Sequence, residues 1–176
     1  EIPLRLVGSG DVYKRQGVTA ATGFDAFTHA FESYLGGRTS PLTKQMSFQA
    51  IELVIENLPK AIKEPNNIEY RTQLAWADTL AGMCLSNGGA DLPHPLGEII
   101  GGICPRIAHG ETLAMVYPSF LEYKKNIAPD KFKEIAVFLG LKKDPSELSS
   151  KIIELLNITD LSNACKRAEL TQEEKN

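Results

Sequence analysis

The residues of this chain best suited to chemistry are its three histidines, His29, His94 and His109, together with Asp25. Asp25 stands four residues before His29 in a stretch of helical character from Gly23 to Tyr34. The two side chains therefore project from one helix face about one turn apart, a ready two-tooth chelate. His94 and His109 lie in Leu92 to Gly102 and Ile107 to Ala114, each beside glycines that let backbone and ligand approach closely. Together the four residues would offer one carboxylate oxygen and three imidazole nitrogens. Such a mixed shell suits a divalent cation such as Fe²⁺ or Zn²⁺. With one coordination position open to a substrate oxygen, the ion would act as a Lewis acid and make a bound hydroxyl alkoxide-like, hence a good hydride donor.

Each piece also has an ordinary reading. Asp25 and His29 could be a solvated pair, His94 between two prolines a loop histidine, and His109 before Gly110 a helix cap. Glu32, one further turn along, could fix an imidazole tautomer; a salt bridge to a neighbouring Lys or Arg is the preferred reading. Glu98, four residues after His94, could be a fifth ligand, a proton acceptor or a solvent-facing carboxylate. Cys84, Cys104 and Cys165 are never paired as Cys-x-x-Cys and read as reduced core thiols. Asp91 reads as structural.

From Gly17 onward helical periodicity and punctuation run almost throughout, with no alternating stretch long enough for a sheet. The fold class expected is all-α, a multi-helical bundle. Ser40 and Pro41 predict a helix start, with Pro59 and Pro65 closing the segment. A second long helix should span about Glu69 to Ser86, ended by Asn87-Gly88-Gly89, with Leu74, Ala77, Ala81 and Leu85 as its core stripe. A helix capped by Asp91 should run from Leu92 toward Ile103, because Pro93 and Pro95 fall in a first turn whose amides have no intrahelical partner to lose. Further helices are expected from Gly110 to Tyr123 with a kink at Pro118, from Asp130 to Leu139, from Pro145 to Leu156 with Asp144 as cap, and from Asp160 to Arg167. Residues 1–16 lack a sustained period and read as a non-matching tail or junction, while Gln172 to Asn176 reads as the opening of another helix.

A chain of 176 residues suffices for one domain with a single core. With 43% hydrophobic residues, 23% charged and a net charge of -3, it has no basic excess for nucleic acid. Its apolar runs fall far short of the roughly 20 residues that span a bilayer, and no secretory leader is recognisable, so no membrane partner is expected and the cytoplasm is the expected compartment.

At these motifs the sequence closely resembles the iron-containing alcohol dehydrogenases, relatives of glycerol dehydrogenase and dehydroquinate synthase. The segment Thr19-Ala-Ala-Thr-Gly-Phe-Asp-Ala-Phe-Thr-His-Ala-Phe-Glu-Ser-Tyr34 is similar to the family's first metal motif. Leu92-Pro-His-Pro-Leu-Gly-Glu-Ile-Ile-Gly-Gly102 and Ala108-His-Gly-Glu-Thr-Leu-Ala114 are similar to its second and third. The resemblance implies that Asp25, His29, His94 and His109 are the four ligands of Fe²⁺, or in some members Zn²⁺. It also implies NAD- or NADP-dependent oxidation of a small alcohol to an aldehyde or ketone, or the reverse. Many members carry a second histidine near the nicotinamide at the place held here by Glu98, a carboxylate able to accept a proton without an imidazole's geometry.

The family's α/β dinucleotide-binding domain, with its glycine-rich loop, has no counterpart in residues 17–176, which read as its helical metal-binding domain, truncated at the carboxyl end. The expectation is that this polypeptide alone does not turn over alcohol with NAD(P). Two other readings stand beside this one. One is a metal-dependent hydrolase with Glu98 as base. The other is a non-catalytic metal-binding helical fragment, pairing with a separate nucleotide-binding chain or with itself as a homodimer.

Overall fold

The computed structural model describes residues 12–168, which form helices joined by short turns, with no strand among them. In chain order the helices are α1 (Val12–Leu35), α2 (Pro41–Lys63), α3 (Ile68–Gly88), α4 (Pro93–Ile103), α5 (His109–Ile127), α6 (Pro129–Phe138), α7 (Pro145–Ile158) and α8 (Ala164–Ala168), with a 3₁₀ turn at Leu161–Asn163. The all-α expectation therefore holds. Helix α1 begins at Val12, so residues 12–16 are helical, and Gln16 donates from its side-chain amide to the Ile62 carbonyl at 3.1 Å. The rest of the expected tail, residues 1–11, and the expected last helix opening at Gln172 to Asn176 lie outside the described residues.

Helix α1 is the axis of the molecule because it carries two stripes. Phe24, Phe27 and Phe31 are fully buried and follow one another at helical spacing, with ring centroids 5.7 and 5.4 Å apart. Tyr117 of α5 meets Phe24 edge-on at 5.0 Å, and Phe132 of α6 meets Phe31 at 5.5 Å. Each such ring contributes roughly 1.5–3 kcal/mol by leaving water. Asp25, His29 and Glu32 form the second stripe, roughly 130° further round the helix. The aromatic stripe thus pins α1 in the core and fixes the direction in which the polar stripe faces. At the carboxyl end of α1 the Lys131 ammonium donates to the carbonyls of Tyr34, Leu35 and Gly36 at 2.9, 3.2 and 2.8 Å, satisfying acceptors a helix end leaves open.

Local punctuation explains most of the remaining boundaries. The Ser40 hydroxyl accepts from the Thr43 amide at 3.1 Å, Asn67 Oδ1 from Glu69 at 3.0 Å, and Asp144 Oδ1 from Ser146 at 2.9 Å. Gly89, with φ +78°, ends α3. Pro59 does not close α2, which continues to Lys63. The extra turn holds because Ala61 is buried beyond the proline, Lys60 and Lys63 favour the helix's negative end, and Gln16 supplies a donor to the Ile62 carbonyl. Likewise α5 runs on through Pro118 to Ile127. On α3 the buried stripe is Ala77, Leu80, Ala81, Cys84 and Gly88, so Leu74 and Leu85 sit at its half-buried margins. Cys84 and Cys104 are buried as expected, but Cys165 on α8 is exposed.

Candidate metal centre

The polar stripe of α1 faces the junction of α4 and α5, and there the four predicted residues converge. Asp25 Oδ1 lies 3.5 Å from His29 Nε2, 3.6 Å from His94 Nε2 and 3.8 Å from His109 Nε2. The ligand atoms of Asp25, His29 and His94 all lie within 4.8 Å of one another. The His29 and His94 rings stack at 4.8 Å, and His109 meets His94 edge-on at 5.5 Å.

Sequence positions as distant as 25 and 109 meet because two glycines remove the bulk between helices. A Cβ on Gly110 would lie 2.0 Å from the Ala21 carbonyl oxygen, so only glycine lets the start of α5 rest on the α1 backbone. A Cβ on Gly97 would lie 2.9 Å from the Thr112 hydroxyl oxygen, which is how α4 closes on α5. His109 is the first residue of α5, and Glu111 accepts from the Ala108 amide at 3.3 Å, which steadies that end.

His94 is held from behind by Glu32. The Glu32 carboxylate is fully buried, and its Oε2 accepts from His94 Nδ1 at 2.9 Å and from the Asp91 amide at 2.8 Å. The expected salt bridge of Glu32 to a Lys or Arg is thus replaced by a carboxylate–imidazole contact, because the Glu32 side chain points into the α4–α5 junction. Asp91 is not the residue directly before α4; Leu92 takes that place, and Asp91 Oδ1 accepts from the Leu92 amide at 2.8 Å while its other oxygen pairs with Lys124.

Burial alone would lower the His94 imidazolium, but the Asp25 and Glu32 carboxylates override it and hold the ring up at about 9. For Glu32 burial prevails and its carboxyl is pushed up, with His94 and the Asp91 amide opposing. Burial would also raise Asp25, yet His94, His29 and His109 together draw it below its ordinary value. His29 is drawn down, chiefly by burial.

Three atoms of this cluster, Asp25 Oδ1, His94 Nε2 and Glu32 Oε1, are buried with no hydrogen-bond partner, and the first two face each other at 3.6 Å. Buried polar atoms in native proteins are almost always paired. Four tetrahedral ligands about 2.1 Å from a common first-row ion lie about 3.4 Å from one another. The 3.5 to 3.8 Å separations around Asp25 Oδ1 come close to that spacing, and the carboxylate and imidazole donors suit such an ion. The residues present therefore fit a divalent metal. Glu98 stands apart, exposed on α4 one turn beyond His94.

A cleft of about 390 Å³ opens beside Asp25, walled by Thr19 and Thr22 of α1 and by Arg71 and Asp78 of α3. Asp25 itself forms part of its lining.

An all-α domain that brings an aspartate and three histidines from three helices to one point has the arrangement of the metal sites built in bundle cores. Residues 19–176 match the Fe-containing alcohol dehydrogenase family, C-terminal, and the chain belongs to that family. It is 35% identical over 142 residues to the 1,3-propanediol dehydrogenase of Citrobacter freundii, covering 81% of this chain and 35% of that protein. It is also 35% identical over 129 residues to the NAD-dependent methanol dehydrogenase of Bacillus methanolicus, covering 73% of this chain and 34% of that one. Among solved structures, 1,3-propanediol oxidoreductase superposes with a TM-score of 0.83 at 28% identity, covering 93% of this chain and 44% of the other. An archaeal halo-thermophilic alcohol dehydrogenase from a Red Sea brine pool also gives a TM-score of 0.83 at 28% identity, covering 90% of this chain and 42% of the other. The chain thus spans about a third of the length of these curated relatives. No helix among the described residues is long and apolar enough to cross a membrane.

Proposed function

We propose that this chain is the metal-binding half of an NAD(P)-dependent alcohol dehydrogenase that interconverts a small alcohol and its aldehyde or ketone. The observation that carries the reading is the meeting of three Nε2 atoms on Asp25 Oδ1, at 3.5, 3.6 and 3.8 Å. Asp25, His29, His94 and His109 would hold Fe²⁺ or Zn²⁺. Bound there, the ion supplies Lewis acidity that lowers the pKa of a substrate hydroxyl.

The protein's own residues divide the remaining work. His94, 9% exposed, forms the buried floor, Asp25 and His29 are half-buried, and His109, 41% exposed at its side chain, forms the open rim. The cleft that Asp25 shares with Thr19, Thr22, Arg71 and Asp78 offers hydrogen-bonding groups that could orient a small hydroxylated molecule. Glu98, solvent-exposed one turn beyond His94, is the group proposed to take the hydroxyl proton outward. The hydride acceptor, NAD or NADP, would be held by the nucleotide-binding part that the relatives' greater length accommodates, and the names of relatives such as the NAD-dependent methanol dehydrogenase support this.

The test is elemental analysis of anaerobically purified protein beside His94→Ala. About one equivalent of Fe or Zn in the wild type and little in the variant is expected if the ligands are shared as described. Metal absent from both, after exposure to either ion, overturns the reading. The chain alone is expected to give no NAD(P) reduction with small alcohols, measured at 340 nm. Robust turnover would show that it needs no nucleotide-binding partner.

A further inference from the structure

We propose that Glu32 is a positioning residue for the metal site, fixing the ring of His94 so that Nε2 faces the metal. The inference rests on the metal reading above. Its basis is the placement of one buried carboxylate oxygen between two donors of α4 and the turn before it.

A carboxylate buried to 0% exposure needs donors, and Glu32 Oε2 has two, His94 Nδ1 at 2.9 Å and the Asp91 amide at 2.8 Å. With Glu32 ionised, its carboxylate can only accept, and Nδ1 is then the protonated nitrogen of this contact. The other ring nitrogen, Nε2, then carries the free lone pair when the imidazole is neutral. That atom is the one left buried and unpaired 3.6 Å from Asp25 Oδ1. A flip of the ring would take Nδ1 away from Glu32 and strand the buried charge.

The same oxygen also anchors the backbone from which His94 projects. The Asp91 amide it holds lies in the turn before α4, and the Asp91 carboxylate is tied in turn to Lys124 of α5. Glu32 therefore fixes both the ring's rotation and the position of its helix. Among the described residues neither His29 nor His109 has a second carboxylate within ion-pair distance; each has Asp25 alone. Glu32 thus acts on one ligand of the four.

The experiment compares the full chain with Glu32→Gln and Glu32→Leu. Zn²⁺ affinity is measured by competition with a chromophoric chelator, and the protonation of His94 by imidazole ¹⁵N spectra of the Zn²⁺-loaded protein. Glutamine keeps an acceptor oxygen but loses the charge, and leucine loses both. Zn²⁺ affinity should fall about 10- to 100-fold in Glu32→Leu and about 3- to 10-fold in Glu32→Gln. His94 should bind Zn²⁺ through Nε2 with Nδ1 protonated in wild type and Glu32→Gln, whereas in Glu32→Leu that form should be lost or mixed with one coordinated through Nδ1. A folded variant of either kind that binds Zn²⁺ within twofold of wild type overturns the proposal. So do equal losses in both variants with unchanged His94 spectra, which would mark a merely structural carboxylate. If Glu32→Leu does not fold, Glu32→Gln decides by the same twofold threshold. Wild-type protein that binds no Zn²⁺ at all overturns the metal reading itself, a result separable from the failure of Glu32 alone.

Discussion

His94 and His109 reach the same Asp25 oxygen, but one is 9% exposed at its side chain and the other 41%. His94 has the Glu32 carboxylate behind it, whereas His109 stands at the first residue of α5 with no comparable carboxylate among the described residues. The contrast teaches that the centre has a closed wall and an open rim. One side is held rigid by a buried carboxylate, and the other is open to solvent.

The harshest way to break this contrast is to remove each ring in turn. His94→Ala leaves Glu32 buried without its imidazole and should destabilise the metal-free protein by about 3 kcal/mol, as breaking buried pairs does. His109→Ala should change stability far less while still weakening metal binding. Urea titrations in the presence of a chelator measure both, and equal losses for the two variants would erase the wall-and-rim distinction.

Next in size is the close approach that delivers His109. Gly110→Ala places a methyl 2.0 Å from the Ala21 carbonyl oxygen, and α5 must move off α1. A loss of about 2 kcal/mol or more is expected, within the range for overpacking, together with weaker metal binding. Thermal melts and chelator competition would register both effects.

A smaller effect follows from pH. In metal-free protein His94 is held up at about 9, above its ordinary 6.5. A raised value means that the folded protein holds the proton more tightly than the unfolded chain. The stabilisation is therefore complete below about pH 6.5 and is lost as pH rises through about 9. Metal must displace that proton, so metal affinity should rise with pH across the same window. Histidine NMR titrations and metal titrations at several pH values test the two halves of this statement.

The smallest change is expected at the exposed edge of α4. Glu98→Gln touches none of the four converging ligands, so metal affinity should stay within about twofold, as for surface substitutions generally. A larger loss would move Glu98 from the periphery into the ligand set.

Much of this was readable from residue types. Ser40 and Asp144 cap the helices they were expected to cap, because a short polar side chain before a helical run satisfies amides within three residues of itself. Asp25 and His29 share a face for the same local reason. Pro59 misled because its cost is local while the packing of Ala61 and the Gln16 bond that outweigh it come from elsewhere in the chain. Cys165 misled because a cysteine's burial depends on which face its helix turns inward.

By itself, then, the sequence determined the helical class and most helix boundaries through short-range periodicity and capping, and it singled out the four converging side chains through donor chemistry together with their resemblance to the metal motifs of the iron-containing alcohol dehydrogenases. Tertiary structure alone decided that Glu32 backs His94 across 62 residues of chain, that Gly110 lets α5 rest on α1, and that one histidine is walled in while another stays open. Those outcomes depend on which helix faces meet, and no local pattern encodes a contact between surfaces that the chain brings together only on folding.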